Sequence, residues 1–205
     1  MHTDPEAVMN ATHSTREAQN HHAFSEIVAH LTVGDSAEEP TTRRHPVGVA
    51  IAAGLTRLAI GWVFLWAFLD KTFGLGFATP ADRAWLEGGS PTSGFLSGVE
   101  GPFAGTFNSM AGQAWADWLF MIGLLGIGVA LMLGVFTNLA AASGAVMLVL
   151  MWAAVLPLDN NPFMDDHLVY ALVLGLLALM GAGRHLGLGS YWEKVPVVQK
   201  YPILR

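Results

Sequence analysis

Four stretches of this chain are nearly free of charge, and polar residues bound each of them. The first runs from Val47 to Phe73 (VGVAIAAGLTRLAIGWVFLWAFLDKTF), the second from Asp117 to Val135, the third from Asn138 to Leu158, and the fourth from Asp166 to about Gly183. A helix rising 1.5 Å per residue crosses the roughly 30 Å hydrocarbon core of a bilayer in about 20 residues, so each stretch is of membrane-crossing length. The pattern predicts an all-α integral membrane four-helix bundle.

Small residues recur inside these stretches at four-residue steps: Gly126, Ala130 and Gly134 in the second; Ala140 and Gly144, with Ala141 and Ala145, in the third; Ala171 and Gly175, then Ala178 and Ala182, in the fourth. In lipid, such ridges let helices approach closely. Helices two and three are therefore expected to form a tight antiparallel hairpin.

The connection between helices one and two is predicted to be an apolar extracytoplasmic loop, because Trp85, Phe95, Phe103, Phe107, Met110 and Trp115 interrupt its Gly, Ser and Pro. Phe103, Phe107 and Met110 repeat at helical spacing, as in a short interfacial helix. Two roles are open for it, an aromatic belt anchor and a lid over a site. Residues 1–45 read as a disordered cytoplasmic tail with a short amphipathic candidate at Ala23 to Leu31, residues 46–190 as the membrane domain, and residues 191–205 as a cytoplasmic C-terminal tail.

Composition agrees with the pattern: 53% of residues are hydrophobic, 13% are charged, and the mean hydropathy is +0.45. A net charge of -6 leaves no basic footprint for nucleic acid. With no cysteine, the chain itself offers no disulfide, thiolate metal site or iron–sulfur ligand, so redox chemistry requires a bound cofactor or a partner. The N-terminal sequence has no signal-peptide pattern, and insertion is expected to begin with the first internal helix. The irregular spacing of the tail histidines His2, His13, His21, His22, His30 and His45 points to no metal site.

Lys and Arg fix the expected orientation. Arg43 and Arg44 precede helix one, and Arg184, Lys194, Lys200 and Arg205 follow helix four; the opposite side has Lys71 and Arg83 among many carboxylates. Both termini are expected inside.

Candidate chemistry gathers at the outer ends of helices one and four. Arg57 and Asp70 lie 13 residues apart, about 20 Å, which is too close for both to reach opposite surfaces. For Arg57 a phosphate anchor that snorkels to the interface is the plain reading. Asp70, Lys71, Asp165, Asp166 and His167 stand at the outer mouth, with Trp66 and Tyr170 one turn deeper and Trp62 beyond them. This predicts a quinone-head site. His167 or Asp166 would handle the proton, Lys71 would polarise a carbonyl, Trp66, Tyr170 and Trp62 would form the walls, and Asp70 would be a further cofactor contact at the mouth. Helix capping by the acids and an aromatic belt explain the same residues without chemistry. No metal or haem is expected, since His167 and His185 fall at opposite faces.

The helix-one pattern RLAIGWVFLWAFLDK, the loop stretches WLEGGSPTSGFLSG and GPFAGTFNSMAG, the NNPFMDDHLVYALVL opening of helix four and the terminal GAGRHLGLG together resemble the DoxX/DoxD family of small four-helix membrane proteins. The resemblance covers about residues 47–190. It implies a multi-pass protein of a prokaryotic plasma (inner) membrane, acting as the membrane subunit of a quinone-linked oxidoreductase that passes electrons from thiosulfate to quinone. The partners it implies are the lipid bilayer and a small DoxA-like subunit or a soluble redox enzyme; a homo-oligomer is also allowed. The competing function is a non-catalytic membrane scaffold that docks soluble redox or detoxification enzymes.

Overall fold

A computed structural model describes residues 46–205; the expectations for the N-terminal tail lie outside them. Among the described residues the chain is helical throughout, with no strand. Four long helices, α1 (Val47–Phe73), α2 (Ala114–Leu133), α3 (Thr137–Ala154) and α4 (Asp166–Leu179), contribute to one buried apolar cluster that includes Phe64, Met121, Leu131, Leu148 and Leu174. The first three are long and apolar enough to cross a membrane; α4 is shorter.

Helix α1 has the bounds its hydropathy predicts. It ends where Gly74 turns left-handed and donates its N–H to Asp70 O. Helix α4 falls short of the expected Gly183: at 14 residues it rises about 21 Å, and Gly181, with a φ of 62°, turns the chain out of the helix. Hydropathy runs on through Ala178, Met180 and Ala182, so composition does not mark this break.

The close approaches are not all where the small-residue ridges predict. A Cβ on Gly126 would meet nothing within 4 Å, and Gly175 is equally open. The tight contact is instead between α1 and α2, where a Cβ on Gly61 would come 2.9 Å from Leu131 Cβ and one on Gly128 would come 2.7 Å from the Leu65 backbone. Gly144 does serve as expected, facing Leu174 of α4. Helices α1 with α2, and α3 with α4, are thus the close pairs, and the expected tight α2–α3 hairpin is the looser one.

The two ends of the assembly are built differently. At one end the carbonyls of α2's last turn, the Gly181–Gly189 segment and the C-terminal residues meet. Here the segment expected to be a tail is folded: Val198 is fully buried, Trp192 lies 4.5 Å from Phe136 and donates to Leu204 O at 2.6 Å, and Asn138 N donates to Arg205 O at 2.7 Å. At the other end, two carboxylates hold the long connection. Asp70 accepts from the N–H groups of Phe77 (3.2 Å) and Ala78 (3.0 Å), and Asp117 Oδ1 accepts from Ser90 Oγ, Thr92 N and Thr92 Oγ1 at 2.9, 3.0 and 2.6 Å. With its loop so fixed, the connection buries Ala84, Leu96 and Val99.

Candidate functional site

Helix geometry separates the residues of α1 before any contact is considered. At about 100° per residue, Arg57, Phe64 and Lys71 fall within some 40° of one another, on the side that packs against the other helices. Trp62 and Trp66 fall on the opposite side.

Arg57 is fully buried. Its Nη1 donates to Leu131 O and to Met132 O (3.2 Å), and its Nη2 donates to His185 O (3.1 Å) and Leu186 O (3.0 Å). The first two acceptors are orphan carbonyls of α2's last turn, where the macrodipole favours a cation. Leu186 adopts a φ of 53°, a left-handed conformation costly for a branched side chain, and its carbonyl is held there by the guanidinium. Packing leaves no slack: a Cβ on Gly134 would come 3.2 Å from Arg57 Cζ and one on Gly187 would come 2.8 Å from Nη2. The interfacial anchor expected of Arg57 is therefore not what it does. It closes this end of the fold from within.

Lys71 stands about 21 Å further along the same face, and its surroundings are open. It is half-buried and makes no hydrogen bond or ion pair among the described residues. It lines an elongated groove of about 690 Å³ between α2 and α3. The wall continues through Trp115, Gly123, Gly126, Met147 and Phe136, and is apolar apart from Lys71, Thr92 and Ser143. Both hydroxyls are occupied, Thr92 by Asp117 and Ser143 by Leu139 O at 2.8 Å. Among the described residues, Lys71 is the lining's one charged residue. Phe107 and Met110, from the short helix Ala104–Met110, also reach the wall, while Phe103 is exposed.

The remaining predicted site residues lie elsewhere. The rings of Trp62 and Trp66 lie tilted with centroids 5.7 Å apart, and Trp66 meets Phe77 edge-on at 5.2 Å; Trp62 is exposed. Tyr170 is exposed. Asp70 is 2% exposed and both its oxygens accept from backbone N–H groups, which makes it a loop clamp rather than the cofactor contact expected. At the start of α4, Asp165 is the N-cap: Oδ1 accepts from Leu168 N at 3.1 Å and Oδ2 pairs with His167 Nδ1 at 2.6 Å. Asp166 is exposed, with an oxygen 3.4 Å from the same nitrogen. Asp165, Asp166 and His167 bring one ligand atom each within 4.8 Å of one another, a donor set with a cation's chemistry that the sequence reading did not anticipate. None of these residues lines the groove.

Of the predicted set, only Lys71 is at the groove. The groove walls themselves were legible only as packing ridges, since a glycine that faces empty space and one that faces a helix look the same in sequence. The chain matches no family model, no curated protein and no solved structure, so the resemblance rests on the residues quoted above.

Proposed function

We propose that the chain is a membrane protein of the DoxX/DoxD type that crosses the bilayer four times and serves as the membrane subunit of a quinone-linked oxidoreductase, with thiosulfate as the electron donor. The observation that carries this reading is the groove: a ligand-sized apolar channel with one cation among the described residues, Lys71, at one end. Four crossings would need α4 and the turn at Ala182–Arg184 that follows it to span the core together. The Lys and Arg bias then places the Lys71 end outside and both termini inside.

A bound quinone would supply a two-electron, two-proton couple, matched by the two electrons released when two thiosulfate anions join through a new S–S bond. The chain's own residues would set the conditions. The Lys71 ammonium would donate to a head carbonyl, where negative charge develops, and apolar walls that exclude water strengthen that interaction. His167, oriented through Nδ1 by Asp165, leaves Nε2 for proton exchange at the same end of the helices. The electron donor's binding surface would belong to a DoxA-like or soluble redox partner.

Equilibrium binding of a quinone analogue to the reconstituted protein tests the reading. Wild type should bind, and Lys71→Ala should bind about 10- to 100-fold more weakly while remaining folded, the range for a lost hydrogen bond from a charged donor. A wild type that binds no quinone would leave the membrane scaffold as the better reading.

A further inference from the structure

We infer that the groove selects its ligand by the tail: it takes a quinone carrying a long polyisoprenoid chain, which enters sideways from the lipid and runs along α2 and α3 past Gly126. This rests on the quinone reading of the same groove and adds to it the substrate class and the residues that set it.

Length is the first argument. The α2 wall runs from Trp115 to Ala130 and the α3 wall from Ala154 back to Phe136, about 22 and 27 Å of helix. A ring of aromatic side-chain size beside Lys71 fills about one helical turn, 5.4 Å, leaving most of the groove for something else. What remains is apolar, and its one side-chain hydroxyl beyond the head region, Ser143, already donates to Leu139 O. A polar ligand gains nothing there. A hydrocarbon chain does.

A helix of a second copy or a partner is the other membrane-embedded candidate; if it held the groove, the affinity for neither quinone would respond to a substitution there. The shape also changes along the path. A Cβ on Gly123 would lie 2.5 Å from Met147 Cε, so the passage narrows there against a flexible side chain, and it widens again at Gly126, where a Cβ would meet nothing within 4 Å. Glycine at 123 keeps the passage open. Gly126 can accept a larger side chain without disturbing any neighbour, and that side chain would stand in the tail's path.

The experiment uses the full chain in nanodiscs and two probes: duroquinone, which has a head and no tail, and a polyprenyl-tailed ubiquinone. Gly126→Phe should weaken the tailed quinone by about tenfold or more and leave duroquinone unchanged. Ser143→Phe, which obstructs the groove from α3, should do the same, so the outcome does not depend on one variant folding. Gly175→Phe, equally open but outside the groove, should alter neither affinity. Unchanged affinity for the tailed quinone in both groove variants would overturn the inference while leaving the quinone reading intact. So would loss of a co-purifying phospholipid with tailed-quinone binding unchanged, which would make the groove a lipid site. If neither probe binds wild type, it is the quinone reading itself that falls.

Discussion

Helix α1 carries two basic residues on one face, four turns apart, and the protein treats them in opposite ways. Arg57 is sealed inside, with four carbonyls taking the donors of its two terminal nitrogens and glycines packed to within van der Waals distance. Lys71, in the field of the Asp70 carboxylate, makes no hydrogen bond or ion pair among the described residues and lines the head of a groove. The planar, five-donor guanidinium suits a site where several fixed acceptors converge, whereas an ammonium is a compact charge that can meet a ligand's oxygen. A buried charge in a membrane protein is costly in either case. At Arg57 the cost is offset by main-chain carbonyls, and at Lys71 the charge lines the groove.

Removing Arg57 should produce the largest effect. Arg57→Leu would leave the carbonyls of Leu131, Met132, His185 and Leu186 without their donor, at about 1–3 kcal/mol for each buried group. The protein should fail to assemble or lose well over 10 °C in thermal aggregation midpoint in detergent, and Arg57→Lys should not restore it, because three donors on a flexible stem cannot reach four carbonyls. Lys71→Met, measured the same way, should shift the midpoint by no more than a few degrees. Equal losses at the two positions would erase the contrast.

The next effect separates close packing from groove wall on a single helix. Leu131 of α2 is fully buried and packs against Gly61 of α1, so Leu131→Ala should cost about 2–5 kcal/mol. Its neighbour Ala130 lines the groove, and Ala130→Leu should cost clearly less. From the four-residue ridge alone the opposite order is expected, so the two unfolding midpoints decide between a ridge buried in a helix contact and one bordering open space.

The smallest effect concerns α4. Asp165→Ala removes the N-cap acceptor and the partner of His167 Nδ1, at about 0.5–2 kcal/mol, whereas Asp165→Asn keeps the cap and should lower the midpoint less. An unchanged midpoint in the alanine variant would mean that the cap does not stabilise this helix.

What could be read from the sequence follows from which interactions involve side-chain pattern and which involve backbone. The bounds of α1 were legible because hydropathy and the polar flanks change together at Pro46 and Gly74. The end of α4 was not, since Gly181 leaves the helix amid residues as apolar as those before it. Arg57 was visible as a costly charge, yet its partners are main-chain carbonyls from 74 to 129 positions away, which no residue type announces. Asp70 was likewise seen as a charge near Lys71, while its actual acceptors' partners are the N–H groups of Phe77 and Ala78. The C-terminal residues looked like a tail because Pro, Lys and Glu punctuate them, although Trp192 and Val198 had the apolar bulk to dock. For the site, Lys71 was identifiable and the groove was not.

The central proposal is that the quinone binds in the Lys71 groove between α2 and α3, with His167 at the same end for the proton, and neither against Trp62, Trp66 and Tyr170 nor at the Arg57 end. A photoreactive azidoquinone, crosslinked to the reconstituted protein and mapped by peptide mass spectrometry, tests it most directly. Label on residues 114–133 and 137–154, reduced by Lys71→Ala and by excess unlabelled quinone, is the predicted result. Label concentrated on Trp62, Trp66 or Tyr170, or label that excess quinone does not displace, would contradict it.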